Sequence, residues 1–183
     1  MNIVSLDLEM NQPSRKIIEI GYTIFNPKSG MIMTKSIFVN PQETLDPEII
    51  TLCNITQEQV DGGWTLNEAY NMMVADINRY QCFKNVMEWG TDHFELRKQL
   101  GLEWADYIFK VRSLDVKSLF QMYTMSIPQT KTVAGLEKAL KILGSSFDGV
   151  PHRAHVDSYN TMRVYQIITE KFRKFNEILK VMK

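Results

Sequence analysis

The first forty residues limit the fold more than any other stretch. They divide into three strand-type runs: Ile3–Glu9, "KIIEIGYTIFN" (16–26) and "MIMTKSIFVN" (31–40). The turn signals Asn11-Gln12-Pro13-Ser14 and Pro27-Lys28-Ser29-Gly30 separate them. Connections this short join antiparallel neighbours, because a parallel pair needs a long crossover. The opening is therefore a meander. Downstream the period changes. "TLNEAYNMMVADINRY" (65–80) spaces Leu66, Ala69, Tyr70, Met73, Val74 and Ile77 as one helical face. "FKNVMEWG" (83–90) returns to strand and feeds a helix, "TDHFELRKQL" (91–100), opened by Thr91 or Asp92. "YIFKVRSLDV" (107–116) predicts a fifth strand leading into helix "KSLFQMY". "TVAGLEKALKILG" (132–144) is an amphipathic helix, and a long last helix from Arg153 carries the stripe Thr161, Met162, Tyr165, Ile168, Phe172 and Phe175. The expectation is one α/β domain over residues 1–183, with a mixed five-stranded sheet, antiparallel meander then parallel strands, flanked by helices.

The first strand is chemically odd. Side chains at i and i+2 share a face, so Asp7 and Glu9 stand side by side while Val4, Leu6 and Leu8 point the other way. Two neighbouring carboxylates against a sheet cost repulsion and desolvation. Alone, the pair reads as a solvated sheet face. Likewise Asp92 reads as a helix cap, Asp157 as a solvated charge, and His93 and His155 as surface or structural residues. Together with His152, however, the acids make a coherent set. Hard cations neutralise clustered carboxylates, and Mg²⁺ or Mn²⁺ takes such oxygen ligands together with water and phosphate. Two such ions about 3.5–4 Å apart serve phosphoryl displacement. His152 precedes Asp157 by five residues, which turn about 140° on a regular helix. Both reach one cleft only if His152 sits on the entering loop, as Pro151 implies; there its imidazole can deprotonate a water.

Charge and composition narrow the partners. Lys+Arg and Asp+Glu both number 21, so a nucleic-acid partner must be held by a local patch or by metal. Lys84, Arg97, Lys98, Lys110 and Arg112 surround the second acidic motif, and Arg153 and Arg163 flank the third. Arg153, beside His152, is the phosphate-contact candidate. Cys53 and Cys82 lack metal-ligand spacing and read as reduced structural thiols. No signal peptide and no membrane-spanning run is expected, which points to the cytoplasm. The basic, amphipathic C-terminal helix leaves a homodimer open.

These motifs resemble those of the DEDDh exonucleases, the DnaQ-like 3′→5′ exonuclease superfamily on the ribonuclease H-like fold. "SLDLEM" with "IIEIGYTIFN" resembles the first motif, "EWGTDHFEL" the second and "PHRAHVDSYNTMRVY" the third; His-x4-Asp in "HRAHVD" is the mark of the histidine subclass. "LCNITQEQVD", "RSLDVKSLF" and "GLEKALKILGSSFDG" match in style, so the likeness runs from Asn2 to about Tyr165. "EWGTDHFEL" looks closest to the histone-mRNA and small-RNA exonuclease branch, while "DLEM" and "RSLDV" look like oligoribonuclease.

The resemblance implies two Mg²⁺ or Mn²⁺ ions, with Asp7 bridging them, Glu9 and Asp157 completing the shell and Asp92 binding through water. Glu95, one turn along, is the alternative to Asp92. His152 would be the general base, and nucleoside 5′-monophosphates would be released from a single-stranded 3′ end. Leu8 and Met10 would touch the terminal nucleotide, and Leu52, Asn54 and Ile55 would form a wedge against the last base, although core packing explains Leu52 and Ile55 nearly as well. RNA is slightly favoured as substrate. The alternatives are a DNA-directed exonuclease, either a proofreading subunit or phage-type, a catalytically silent nucleic-acid-binding module, and an assembly subunit.

Overall fold

The computed structural model describes residues 1–127 and 134–181. The meander forms as the turn signals require: β1 (Ile3–Met10), β2 (Ile17–Asn26) and β3 (Gly30–Phe38) pair antiparallel in order. Two parallel strands follow on the other side of β1, namely β4 (Met87–Glu88) and β5 (Leu114–Asp115), giving the order β3-β2-β1-β4-β5. In this register Asp7 lies opposite Gly21, and Glu9 opposite Glu19.

The alternation of β1 and β2 sorts the sheet into two faces. Val4, Leu6, Leu8, Ile20, Tyr22 and Ile24 are buried together against Ala69, Tyr70, Met73 and Ile77 of α3 (Leu66–Arg79). The opposite face meets α7 (Ala154–Val181), which packs on β1 and β2, with α5 (Val116–Met125) and α6 (Leu136–Ile142) beside it. Covered on both sides, β2 is buried along nearly its whole length.

Local chemistry sets the helix starts. Asp46 accepts from the Glu48 amide at α1 (Pro47–Cys53), which ends on Asn54 at φ +51°. Reciprocal capping boxes open α2 (Gln57–Asp61) through Thr56 and Gln59, and α3 through Thr65 and Glu68. The second-motif helix, α4 (Asp92–Leu100), stops at Gly101 with φ +66°.

Three expectations need correction. The strands predicted at 83–90 and 107–116 shrink to two residues each. Tyr107, Ile108 and Phe109 leave the sheet and enter the core, where the Tyr107 ring stacks on Tyr70 at 5.7 Å and the Ile108 amide donates to the Tyr70 hydroxyl at 2.8 Å. An apolar run of that length fits a buried loop as well as a strand. The last helix buries Thr161, Met162 and Ile168, but its stripe outruns the sheet, so Phe172 and Phe175 are exposed. The predicted start of the 132–144 helix lies outside the described residues; Leu136–Ile142 forms as expected. Among the described residues no helix is long and apolar enough to cross a membrane.

Gly21 fixes how closely α7 approaches β2. A Cβ there would lie 1.9 Å from the Ala154 carbonyl carbon and 2.0 Å from the His155 nitrogen, both backbone atoms that cannot swing aside. Gly21→Ala is therefore expected to cost at least about 1–3 kcal/mol in a denaturant melt, since overpacking forces the backbone apart. It should lower activity as well, because the displaced helix start bears the third motif.

Candidate active site

Three elements converge at the carboxyl end of β1. Strand β1 presents Asp7 and Glu9 on the face toward α7, α4 begins with Asp92, and α7 carries Asp157 in its first turn. His152 sits on the loop ahead of α7 with φ +60°, a left-handed conformation uncommon for a residue with a side chain. That kink resolves the angular mismatch between His152 and Asp157. One ligand atom each from Glu9, His152 and Asp157 lies within 4.8 Å of the other two. Asp7 stands within the field of Asp92, Glu9 and Asp157.

The electrostatics are those of a crowded anionic cluster. Burial, then Asp92, Glu9 and Asp157, hold the Asp7 carboxyl well above the usual range. Burial pushes Glu9 up to about 8, only partly opposed by a hydrogen bond from the Cys53 thiol. Asp92 rises to about 7 through burial and the neighbouring Glu88, and Asp157 to about 6 through burial, offset in part by His152. Without a counter-charge these groups hold protons that exposed acids release.

The residues fit a divalent cation. Asp157 Oδ1 is buried with no hydrogen-bond partner, an arrangement that is costly unless something else occupies the oxygen. The donor set is carboxylate oxygen with one imidazole, suited to Mg²⁺ or Mn²⁺. Glu95, the alternative second-motif ligand, is engaged elsewhere: it lies 3.7 Å from Arg15 and 3.9 Å from Lys98, and it accepts from Gln99.

The expected substrate contacts scatter. Cys53 Sγ lies 3.3 Å from Glu9 Oε2, which brings the end of α1 to the site. Leu52 is half exposed beside it and Asn54 is exposed. Ile55, by contrast, is fully buried with Ile18, Leu45 and Val60, so its role is core packing and not a wedge. The Leu8 side chain is also core, leaving its backbone as the part that faces the site, while Met10 is partly buried. Arg153 is corrected too. Its Nε lies 3.0 Å from Glu19 Oε2 and its guanidinium sits 5.3 Å over the Phe38 ring, turned inward to the protein.

Two further carboxylates, outside the three motif positions, lie buried behind the acids. Glu19, on β2, accepts from residues 153–155 and from Ser36, and those donors hold it down at about 2 despite burial. Glu88, on β4, lies 2.6 Å from His93 Nδ1 and accepts from the His93 amide, with both side chains fully buried. The available signal was a lone charge inside an apolar strand for Glu19 and one ending an apolar strand for Glu88. His93→Ala leaves Glu88 buried without its partner, and a loss of about 3 kcal/mol in thermal or chemical unfolding is expected.

Comparison with known proteins agrees with this arrangement. Residues 4–165 match the profile of the RNase T exonuclease family. No curated protein sequence matches significantly. Among solved structures, the chain is similar to the nuclease domain of 3′hExo, a DEDDh family member, bound to rAMP (TM-score 0.79, 21% identity, 93% of this chain and 92% of that one). It is similar to a full-length 3′-exonuclease as well (TM-score 0.77, 21% identity), covering 93% of this chain but only 60% of that one. Exonuclease X in complex with 5′-overhanging duplex DNA superposes less closely (TM-score 0.55, 15% identity, 93% of this chain and 91% of that one). The mixed sheet flanked by helices is the fold of these ribonuclease H-like exonucleases. With its three acidic motifs in order over that shared fold, the chain belongs to the RNase T exonuclease family.

Proposed function

We propose that residues 1–183 act as a single metal-dependent 3′→5′ exonuclease domain that hydrolyses single-stranded nucleic acid to nucleoside 5′-monophosphates, with RNA favoured over DNA. The convergence of Glu9, His152 and Asp157 within 4.8 Å, with Asp7 in the same anionic field, carries the reading. Asp7, Glu9, Asp92 and Asp157 would hold two Mg²⁺ or Mn²⁺ ions. When bound, such ions neutralise charge developing on the scissile phosphate. His152, exposed on its loop, takes the proton of the attacking water. Leu52, half exposed beside Cys53, offers an apolar edge against which the terminal base unstacks. Asn54 and the backbone of Leu8 flank the same opening.

The RNA preference rests on the second motif and on the likeness to a nuclease domain bound to rAMP. The likeness to exonuclease X with DNA keeps a DNA-directed enzyme as the second reading. Matched single-stranded RNA and DNA oligomers, with products resolved by chromatography, separate them. Nucleoside 5′-monophosphates released faster from RNA are expected. Faster release from DNA overturns the preference and leaves the reaction class standing.

A further inference from the structure

Glu19 is fully buried on the face of β2 that meets α7, directly across the ladder from Glu9. Its two oxygens accept from five groups: Ser36 Oγ at 2.6 Å, His155 Nδ1 at 2.9 Å, Arg153 Nε at 3.0 Å, the Ala154 amide at 3.1 Å and Arg153 Nη2 at 3.3 Å. Oε1 takes Ser36, His155 and Nη2, and Oε2 takes Nε and the Ala154 amide, which leaves neither oxygen free for a cation. So Glu19 is not a further metal ligand, although it borders the acids.

Four of those five donors belong to the consecutive residues 153, 154 and 155. They immediately follow His152, whose φ of +60° must be imposed from outside because its own side chain disfavours it. The Ala154 amide is the first N–H of α7, so Glu19 supplies from the sheet an acceptor that a capping side chain supplies elsewhere. Arg153 also lies over the Phe38 ring, 5.3 Å from its centroid, which adds a second hold on the same turn. Since Glu19 and Glu9 face each other in one ladder, whatever Glu19 fixes is fixed relative to Glu9.

We propose that Glu19 is a positioning residue of the reaction: it anchors the 152–155 turn so that His152 and Asp157 meet Glu9 in one cluster. The inference rests on the nuclease reading of that cluster and concerns how its third motif is held. Arg153 and His155 act through Glu19, which accounts for a charged residue beside the base that is turned away from solvent.

The test is Glu19→Gln, which keeps the shape but turns an N–H₂ toward groups that donate. The expected result is a 10–100-fold lower kcat on a single-stranded oligomer, as for other outer-shell anchors, with KM nearly unchanged. The loss should be partly non-additive with His152→Ala: Glu19→Gln should cost clearly less in the His152→Ala background than in the wild type, because only the share acting through Asp157 remains. Hydrogen exchange of the Ala154 amide should quicken at least roughly tenfold, a readout independent of turnover. Wild-type kcat in Glu19→Gln, or a loss that multiplies in full onto that of His152→Ala, overturns the proposal. If Glu19→Gln does not fold, His155→Ala takes its place, with a smaller kcat loss and the same non-additivity required. A wild-type protein that cleaves nothing counts against the nuclease reading, and the Ala154 exchange rate then decides the anchoring alone.

Discussion

Asp7→Asn is expected to abolish measurable turnover, with a loss of at least about 10³-fold, while making the cation-free protein more stable. The two effects have one cause. Asp7 lies in the combined field of Asp92, Glu9 and Asp157 and is held well above the usual carboxylate range, so its charge is unfavourable until a cation arrives. On the proposed reading, removing that charge would deprive a bound cation of a ligand, and losses of about 10²–10³ are usual for a single preorganised electrostatic contact. It also relieves repulsion. Each unit by which a folded-state pKa exceeds its unfolded value costs about 1.4 kcal/mol once the group is ionised. For acids raised in this way the sign is fixed: stability is intact below the unfolded value and declines as pH climbs through the folded one. With Glu9 at about 8, Asp92 at about 7 and Asp157 at about 6, the cation-free protein should lose stability between about pH 4 and pH 8. Thermal melts in EDTA should show the Asp7→Asn advantage at pH 8 and little of it at pH 4. Added Mn²⁺ should raise the midpoint of the wild type and do so much less for the variant.

His152→Ala should cost about 10²–10⁴ in kcat, the range for a positioned general base, with a different signature. The imidazole is exposed on a kinked loop, so its removal leaves the four carboxylates and the core in place. Stabilisation by Mn²⁺ should therefore persist in the variant while turnover falls. Equal loss of both would make His152 principally a ligand and move the base elsewhere. Measuring kcat and the Mn²⁺-induced shift in melting midpoint on one preparation separates the cases.

Much of this was legible in the sequence because it depends on local rules. Two turn signals within forty residues impose a meander, and a period of two places Asp7 beside Glu9 on its face. The helical spacing of Leu66, Ala69, Tyr70, Met73, Val74 and Ile77 announces α3. Pro151 and the five-residue gap to Asp157 place His152 off the helix, where the structure has it. What could not be read depends on pairing across the sheet. Glu19 sits in an apolar run as a lone charge, and only the register that sets it opposite Glu9, together with the arrival of α7 on Gly21, reveals its donors. Glu88 and His93 lie 2.6 Å apart across the strand-to-helix turn, where the His93 amide donates to Glu88, a pairing that a reading of His93 alone as surface or structural does not reveal. Arg153 turns inward for the same reason: its partner is more than a hundred residues away in the chain. Tyr107–Phe109 shows the limit of periodicity, since an apolar triplet packs as well in a buried loop as in a strand.

The proposed cation-dependent centre of four carboxylates and His152 would shorten a strand from its 3′ end. The most direct measurement follows a 5′-labelled single-stranded RNA with the wild-type protein in Mg²⁺ or Mn²⁺, in EDTA, and with Asp157→Asn in its place. The expected result is a ladder that shortens progressively from the 3′ end with the cation and is absent in EDTA and with the variant. Cleavage that persists in EDTA, or is unchanged in Asp157→Asn, would contradict it.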